Sequence, residues 1–415
     1  MGLWFYSYFI INLVIFIYYY KKTNGTFQAP FLMAYTALFV LLPQFSTIYN
    51  NSFYDKRLIP DLGIVMITCN IAFLFGFEIT KKFIHENNDI IGILYINKIK
   101  YPLLFMGIVG FMTIFLWTGD KYQEGDNVIQ VNMKAFSQMA FCLTLTSLLT
   151  YRVKSKFAIF MLVLSAMPLF YFAFLVKGSR GETLFLLLSI SVYLALRYPQ
   201  KEPVIRKWTL IILLVGALFS ASISWVRNVV INKSEHTELS LIDNFKNSYS
   251  QNKVSLGMDL GNAAKGIHYL KEKNLLDYGS YIYDDFIQNI VPRRIVGESV
   301  KESLKLNLVD DKEFIKRQTH SVTTMTGYYF AFRSFSYLGF LLYLLFGVFY
   351  GFIYCKIRDS ALCLYLYLLI LPTVPLIFTH SPGYLYMKLY TNFIIAYIFC
   401  YKGFKRYRMI RKCKL

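Results

Sequence analysis

The residue types best suited to chemistry gather in one polar interval of an otherwise apolar chain. Between Arg227 and Arg333 lie His236, His268 and His320, together with Arg293, Arg294 and Arg317. A guanidinium presents a planar fork that matches two phosphate oxygens at once. A neutral imidazole accepts a proton from a hydroxyl near pH 7. Charge stabilisation on a departing oxygen and a base on the attacking one are what transfer from a pyrophosphate leaving group requires.

Each candidate has a plainer reading beside the chemical one. In Lys177-Gly178-Ser179-Arg180-Gly181-Glu182, two glycines bracket Arg180 at the mouth of two apolar runs. Backbone amides and the guanidinium would there hold a phosphate, but a tight turn with a snorkelling arginine has the same pattern. Arg227, Arg293, Arg294 and Arg333 each adjoin an apolar run or a proline, which suits pyrophosphate binding and also interfacial anchoring. His320 precedes Gly327 and the next apolar run, so it is the first candidate for a base, although a lone loop histidine is more often solvated. His380, Glu298 and the Asp284-Asp285 pair are alternative bases. No cluster of histidines and carboxylates at metal-ligand spacing stands out, so neither a metal nor another cofactor is expected. The six cysteines form no CxxC pair and no disulfide framework.

The elements that must position these residues are set by composition. With 56% hydrophobic residues, a mean hydropathy of +0.43 and repeated apolar runs, the chain reads as an all-α polytopic membrane protein. The runs give about 11 transmembrane helices, within a range of 10 to 12. Residues 1–226 form an N-terminal membrane bundle of eight spans, 227–333 a large partly helical extracytoplasmic loop, 334–401 three more spans, and 402–415 a basic cytoplasmic tail. The first run lacks a signal peptide's basic start and cleavage site and is expected to be retained. The net charge of +20 lies in short links rather than in a nucleic-acid-binding stripe. One set of alternate short links and the tail hold 22 Lys and Arg against 7 in the other, which puts the C-terminus inside and the long loop, Arg180 and His380 outside. The loop itself, with 15 basic and 13 acidic residues, is nearly balanced, so particular arginines matter more than its net charge.

Gly178-Ser179-Arg180-Gly181 opening a span, Pro292-Arg293-Arg294 in a long outer loop, His320-Ser321, and a span carrying Gly339, Gly347 and Gly351 resemble the bacterial O-antigen or capsular repeat-unit polymerases, the Wzy family. The layout is also similar to the O-antigen ligases, in which a histidine likewise precedes a glycine-containing span. The resemblance covers about residues 60–400 as an architecture, through short and degenerate motifs. It implies a GT-C-like membrane fold and block transfer of a growing glycan between undecaprenyl-pyrophosphate-linked oligosaccharides, donor and acceptor alike. It also implies a chain-length regulator protein as partner and a place in the bacterial inner membrane. Carried over by position, Arg180, Arg293 and Arg227 bind the donor pyrophosphate and His320 is the acceptor base. The asparagine that follows the ligase histidine is Ser321 here, and either Arg293 or Arg294 matches the family arginine. A transporter or flippase for the same lipid-linked glycan is the main rival, an O-antigen ligase a further alternative, and a non-catalytic scaffold the third reading.

Overall fold

The computed structural model describes residues 2–50, 55–84, 138–146, 148–149, 156–171, 180–219, 258–291, 296–309, 325–358, 360–386 and 389. Every regular element among them is helical. In chain order these are α1 (Gly2–Lys21), α2 (Ala29–Thr36), α3 (Leu42–Asn50), α4 (Leu58–Phe83), α5 (Lys156–Tyr171), α6 (Arg180–Arg197) and α7 (Glu202–Phe219). Then follow α8 (Met258–Lys273), α9 (Ser280–Ile290), α10 (Glu298–Ser303), α11 (Gly327–Phe335), α12 (Phe340–Cys355), α13 (Ala361–Ile370) and α14 (Val374–Thr379). Five described stretches are long and apolar enough to cross a membrane, or up to six if a bent pair is one span. The chain is therefore a polytopic helical membrane protein. The expected run at 102–119, parts of those at 132–150, 157–176 and 208–226, most of that at 384–401, and the tail lie outside the described residues.

The chain divides into two compact units, 1–80 with 210–351 and 374–384, and 81–209 with 352–373 and 385–415. In the first unit α1 shows how these helices are built for lipid. Tyr8, Asn12, Ile15 and Tyr19 recur at helical spacing and are buried, whereas Leu3, Tyr6, Ile10 and Val14 are exposed. Apolar side chains thus cover the outward face while the polar Asn12 points inward, the arrangement a hydrocarbon solvent favours. Asn12 Oδ1 accepts from Asn70 Nδ2 at 2.9 Å, and Asn70 Oδ1 accepts from the Tyr328 hydroxyl at 2.8 Å. The Tyr8 and Tyr328 hydroxyls meet at 3.3 Å, so one buried polar chain links α1, α4 and α11.

Run 27–48 is interrupted rather than straight. After α2 comes a π-helical stretch, Ala37–Leu41, and then α3 with Pro43 in its first turn. Pro43 has no amide proton and its ring crowds the carbonyl four residues back, which the widened turn accommodates.

Helix α4 packs closely on α12 through glycines. A Cβ at Gly76 would overlap the Leu344 carbonyl, one at Gly347 the Phe73 carbonyl, and one at Gly351 would press on Phe77 and Thr80. Backbones approach this closely only where side chains are missing, the small-residue packing that replaces the hydrophobic effect between helices in lipid.

The stretch from Gly327 to Cys355 passes for a single span of 29 residues by composition, and the sequence reading begins a span at Ser334. Its geometry is different. On one straight helix Tyr328 and Tyr343 would stand about 22 Å apart. Their rings lie instead 6.0 Å apart and nearly parallel. The chain reverses at Ser336, whose φ of 53° is left-handed, and crosses a 3₁₀ turn, Ser336–Gly339. A Cβ at Gly339 would overlap the Ala331 carbonyl, so only glycine closes this reversal. α11 and α12 are thus the arms of a hairpin, with α11 rising from beside Asn70 until Tyr337 donates to Asp61 at the head of α4. Nine residues of α4 separate those two levels, roughly 13 Å.

The second unit holds α5, α6, α13 and a helical stretch at 138–146. Ser189 Oγ donates to the Leu368 carbonyl at 3.0 Å, and Arg197 Nη1 to that of Leu148 at 3.3 Å. Residues Thr183–Arg197 and Pro199–Leu214 meet at a bend of 114°. Pro199, which cannot continue α6, opens the short 3₁₀ turn at the bend.

Candidate functional site

The described part of the long loop folds as a helical layer over the Asp61 end of the first unit. Its opposite end carries Lys22 paired with Glu78 at 3.8 Å. In α8, Leu260, Ala263, Ala264, Ile267 and Leu270 are buried at helical spacing, and Gln44 Oε1 accepts from the Leu260 amide at 3.3 Å. Lys271 Nζ lies 2.9 Å from both Asp61 carboxylate oxygens, and this carboxylate holds the ammonium above its ordinary range. His268 pairs with Glu272 at 3.0 Å one turn along the open face, the ordinary place for a loop histidine.

Between α8 and α9 the chain turns through Asn274, Tyr278 and Gly279, all at positive φ. Asp277 organises that turn, accepting from the Gly279 amide at 2.8 Å and donating its own amide to the Arg333 carbonyl at 3.0 Å. Its Oδ2 lies 2.6 Å from Arg333 Nε, and both side chains are buried. Burial pushes the Asp277 carboxyl above the usual range, against the pull of Arg333 and the Gly279 amide. Arg333 Nη2 also donates to the Val309 carbonyl at 3.2 Å. The arginine read from the sequence as a pyrophosphate ligand therefore stands at the top of the α11–α12 hairpin, tying two loop segments to it.

Asp285 is the group with the most distinctive surroundings. It projects from α9 toward the turn after α14, where a Cβ at Gly383 would overlap its Oδ2. The Ser381 hydroxyl donates to this carboxylate while its oxygen accepts from the Gly383 amide at 3.0 Å. Burial raises the Asp285 carboxyl to about 6; Arg333, Lys305 and Ser381 lower it, and neighbouring Asp284 raises it. Asp284 itself accepts from the Leu306 and Asn307 amides at 2.7 and 3.1 Å, pinning the chain after α10. His380 adjoins Ser381, with Nδ1 2.8 Å from Thr379 Oγ1 and its ring edge-on to Tyr384 at 5.7 Å.

The sequence candidates are thus distributed unevenly. Arg333 and His380 fall in this layer, the first beside Asp277 and within electrostatic reach of Asp285, the second next to Ser381. Glu298 is exposed in the first turn of α10. Arg180 opens α6, which is long and apolar enough for a span only when taken together with 199–214 across the 114° bend, rather than as the separate span expected at 182–196. His320, Arg227, Arg293 and Arg294 lie outside the described residues, as do His85, His236 and Arg317. Among the described residues no group of His, Cys, Asp and Glu is arranged to hold a metal.

Sequence reasoning missed the Asp277–Arg333 pair and the Asp285–Ser381 contact. The signal for the first was Asp277-Tyr278-Gly279, a turn sequence whose acidic residue needed a cation. The second joins residues 96 positions apart and has no local signature. Comparison with protein-family models, curated proteins and solved structures gives no match.

Proposed function

We propose that this protein polymerises lipid-linked oligosaccharide repeat units at the outer face of the cytoplasmic membrane. It would move a growing glycan from undecaprenyl pyrophosphate to a hydroxyl of a second lipid-linked unit. The observation that supports this reading best is the gathering of Asp285, Ser381, His380, Lys305 and Arg333 in a folded layer over apolar helices. Lipid-linked glycans present their sugars at such a boundary, where a carboxylate or imidazole takes a proton and cations meet the departing phosphate. Arg180, Arg227, Arg293, Arg294 and Arg333 are the proposed donor ligands. The chemistry needs no nucleotide sugar, because the pyrophosphate is already a good leaving group.

The test is deletion of the gene in its host, followed by analysis of surface glycan length. A polymerase leaves single repeat units on the surface, and complementation restores the ladder. Unchanged polymer would refute the reading.

A lipid-glycan flippase is the second reading, favoured by two features. α11 is a half-height helix, and the Asn12–Asn70–Tyr328–Tyr8 chain buries polar groups at its level. Transporters use discontinuous helices of this kind around their substrate paths. Loss of all surface glycan on deletion, rather than its shortening to one unit, would select this reading.

A further inference from the structure

Resting on the polymerase reading, we infer that Asp285 is the base that takes the proton of the acceptor hydroxyl, held in register by Ser381 in the space that Gly383 leaves open. Three features of the site converge on this carboxylate. The Gly383 position carries no side chain, and a methyl group there would occupy the place of Asp285 Oδ2. Ser381 fixes the carboxylate with one hydrogen bond, and its own oxygen is fixed by the Gly383 amide at 3.0 Å. Asp285 is half-buried rather than sealed in the core. A base positioned this way keeps a lone pair for an incoming hydroxyl without a conformational search.

The step balances without a co-reactant. The acceptor O–H bond breaks and its proton goes to the Asp285 carboxylate. The oxygen then bonds to the anomeric carbon of the donor, whose bond to the pyrophosphate oxygen breaks. That oxygen leaves with the electron pair as undecaprenyl pyrophosphate, and Asp285 later returns its proton to water.

The groups facing Asp285 set the pH at which it works. Asp284 on the same helix raises it, while Lys305 after α10, Arg333 on α11 and the Ser381 hydroxyl lower it; His380 stands on the same turn as Ser381. With the carboxyl raised to about 6, the base is ionised at neutral pH, and transfer should decline as pH falls through that value.

The experiment uses the full-length protein in membranes of the deletion strain, with that host's own extracted lipid-linked repeat units as substrate. Asp285→Asn should lower the rate of chain extension about 100-fold or more while the protein accumulates normally. Ser381→Ala should lower the rate, because the base is no longer held in register, and move the acid limb to higher pH, because it removes a hydrogen bond that favours the ionised form. His380→Gln should leave that limb in place. If Asp285→Asn fails to accumulate, the Ser381→Ala pH profile decides alone, and an unmoved limb overturns the inference. Full polymer from a well-expressed Asp285→Asn also overturns it, and the same result with His320→Ala inactive returns the role to His320. These outcomes are separable from failure of the polymerase reading, in which the deletion strain itself would not show single repeat units.

Discussion

A catalytic carboxylate raised to about 6 is a cost to the fold, and the sign of that cost is measurable. In the unfolded chain an aspartate titrates near 4, whereas Asp285 holds its proton to about 6 in the folded state. The folded state therefore loses stability as pH rises from about 4 through 6, and the loss is complete above that. By linkage, discounted for partial exposure, it amounts to roughly 1–2 kcal/mol. Asp285→Asn should accordingly raise the thermal stability of detergent-solubilised protein at pH 8 and change little at pH 4. A variant that is more stable yet inactive is the signature of a functional group, and lower stability at pH 8 would argue for a structural role. Breaking the Asp277–Arg333 pair should have the opposite effect on stability. Asp277→Ala strands a buried guanidinium and should cost about 3–5 kcal/mol, most of it recovered in the double variant Asp277→Ala/Arg333→Met. Thermal unfolding of the two variants gives the comparison. Persistent polymer in the double variant would also remove Arg333 from donor binding, a role that the sequence alone suggested.

At the scale of elements, hydrophobic length found most helices and misjudged how they connect. Apolar runs reveal burial in lipid or protein, and α1, α4, α6 and α12 lie where those runs placed them. Composition carries no information about direction, however, so the span read from Ser334 to Tyr354 began inside the turn of a hairpin and left its first arm in the loop. Ser336 and Gly339 were visible inside the run, but their meaning depended on Ala331 lying against Gly339. Likewise Arg333 and Asp285 were legible as candidates, whereas the partners that give them their character come from 56 and 96 residues away. The hairpin gives its own test. Cysteines at Tyr328 and Tyr343, in a background without other cysteines, should be joined by a short bifunctional thiol reagent in native membranes. A continuous helix would hold them about 22 Å apart and prevent the link. Gly339→Leu should abolish cross-linking, because its side chain would have to displace the Ala331 backbone. Failure to cross-link with an intact Gly339 would restore the single long span.

For the whole molecule, the orientation of the loop layer decides whether any glycan chemistry is available to it. The charge count and the folded first unit together bear on this. Basic residues favour one set of short links by 22 to 7, which places that set on the cytoplasmic side. In the folded first unit, Lys22 pairs with Glu78 at one end while Asp61, Lys271, Asp277 and Asp285 collect at the other. The end bearing Lys21 and Lys22 belongs to the basic set, so the α8–α10 layer should face outward. Ser299 lies exposed in α10 and makes a suitable reporter, while native Cys413 sits in the basic tail. In intact spheroplasts an impermeant thiol reagent should modify Ser299→Cys, and Cys413 should react only after permeabilisation. The reverse pattern would put the layer inside the cell, out of reach of exported lipid-linked sugars, and with it Asp285 would lose its substrate.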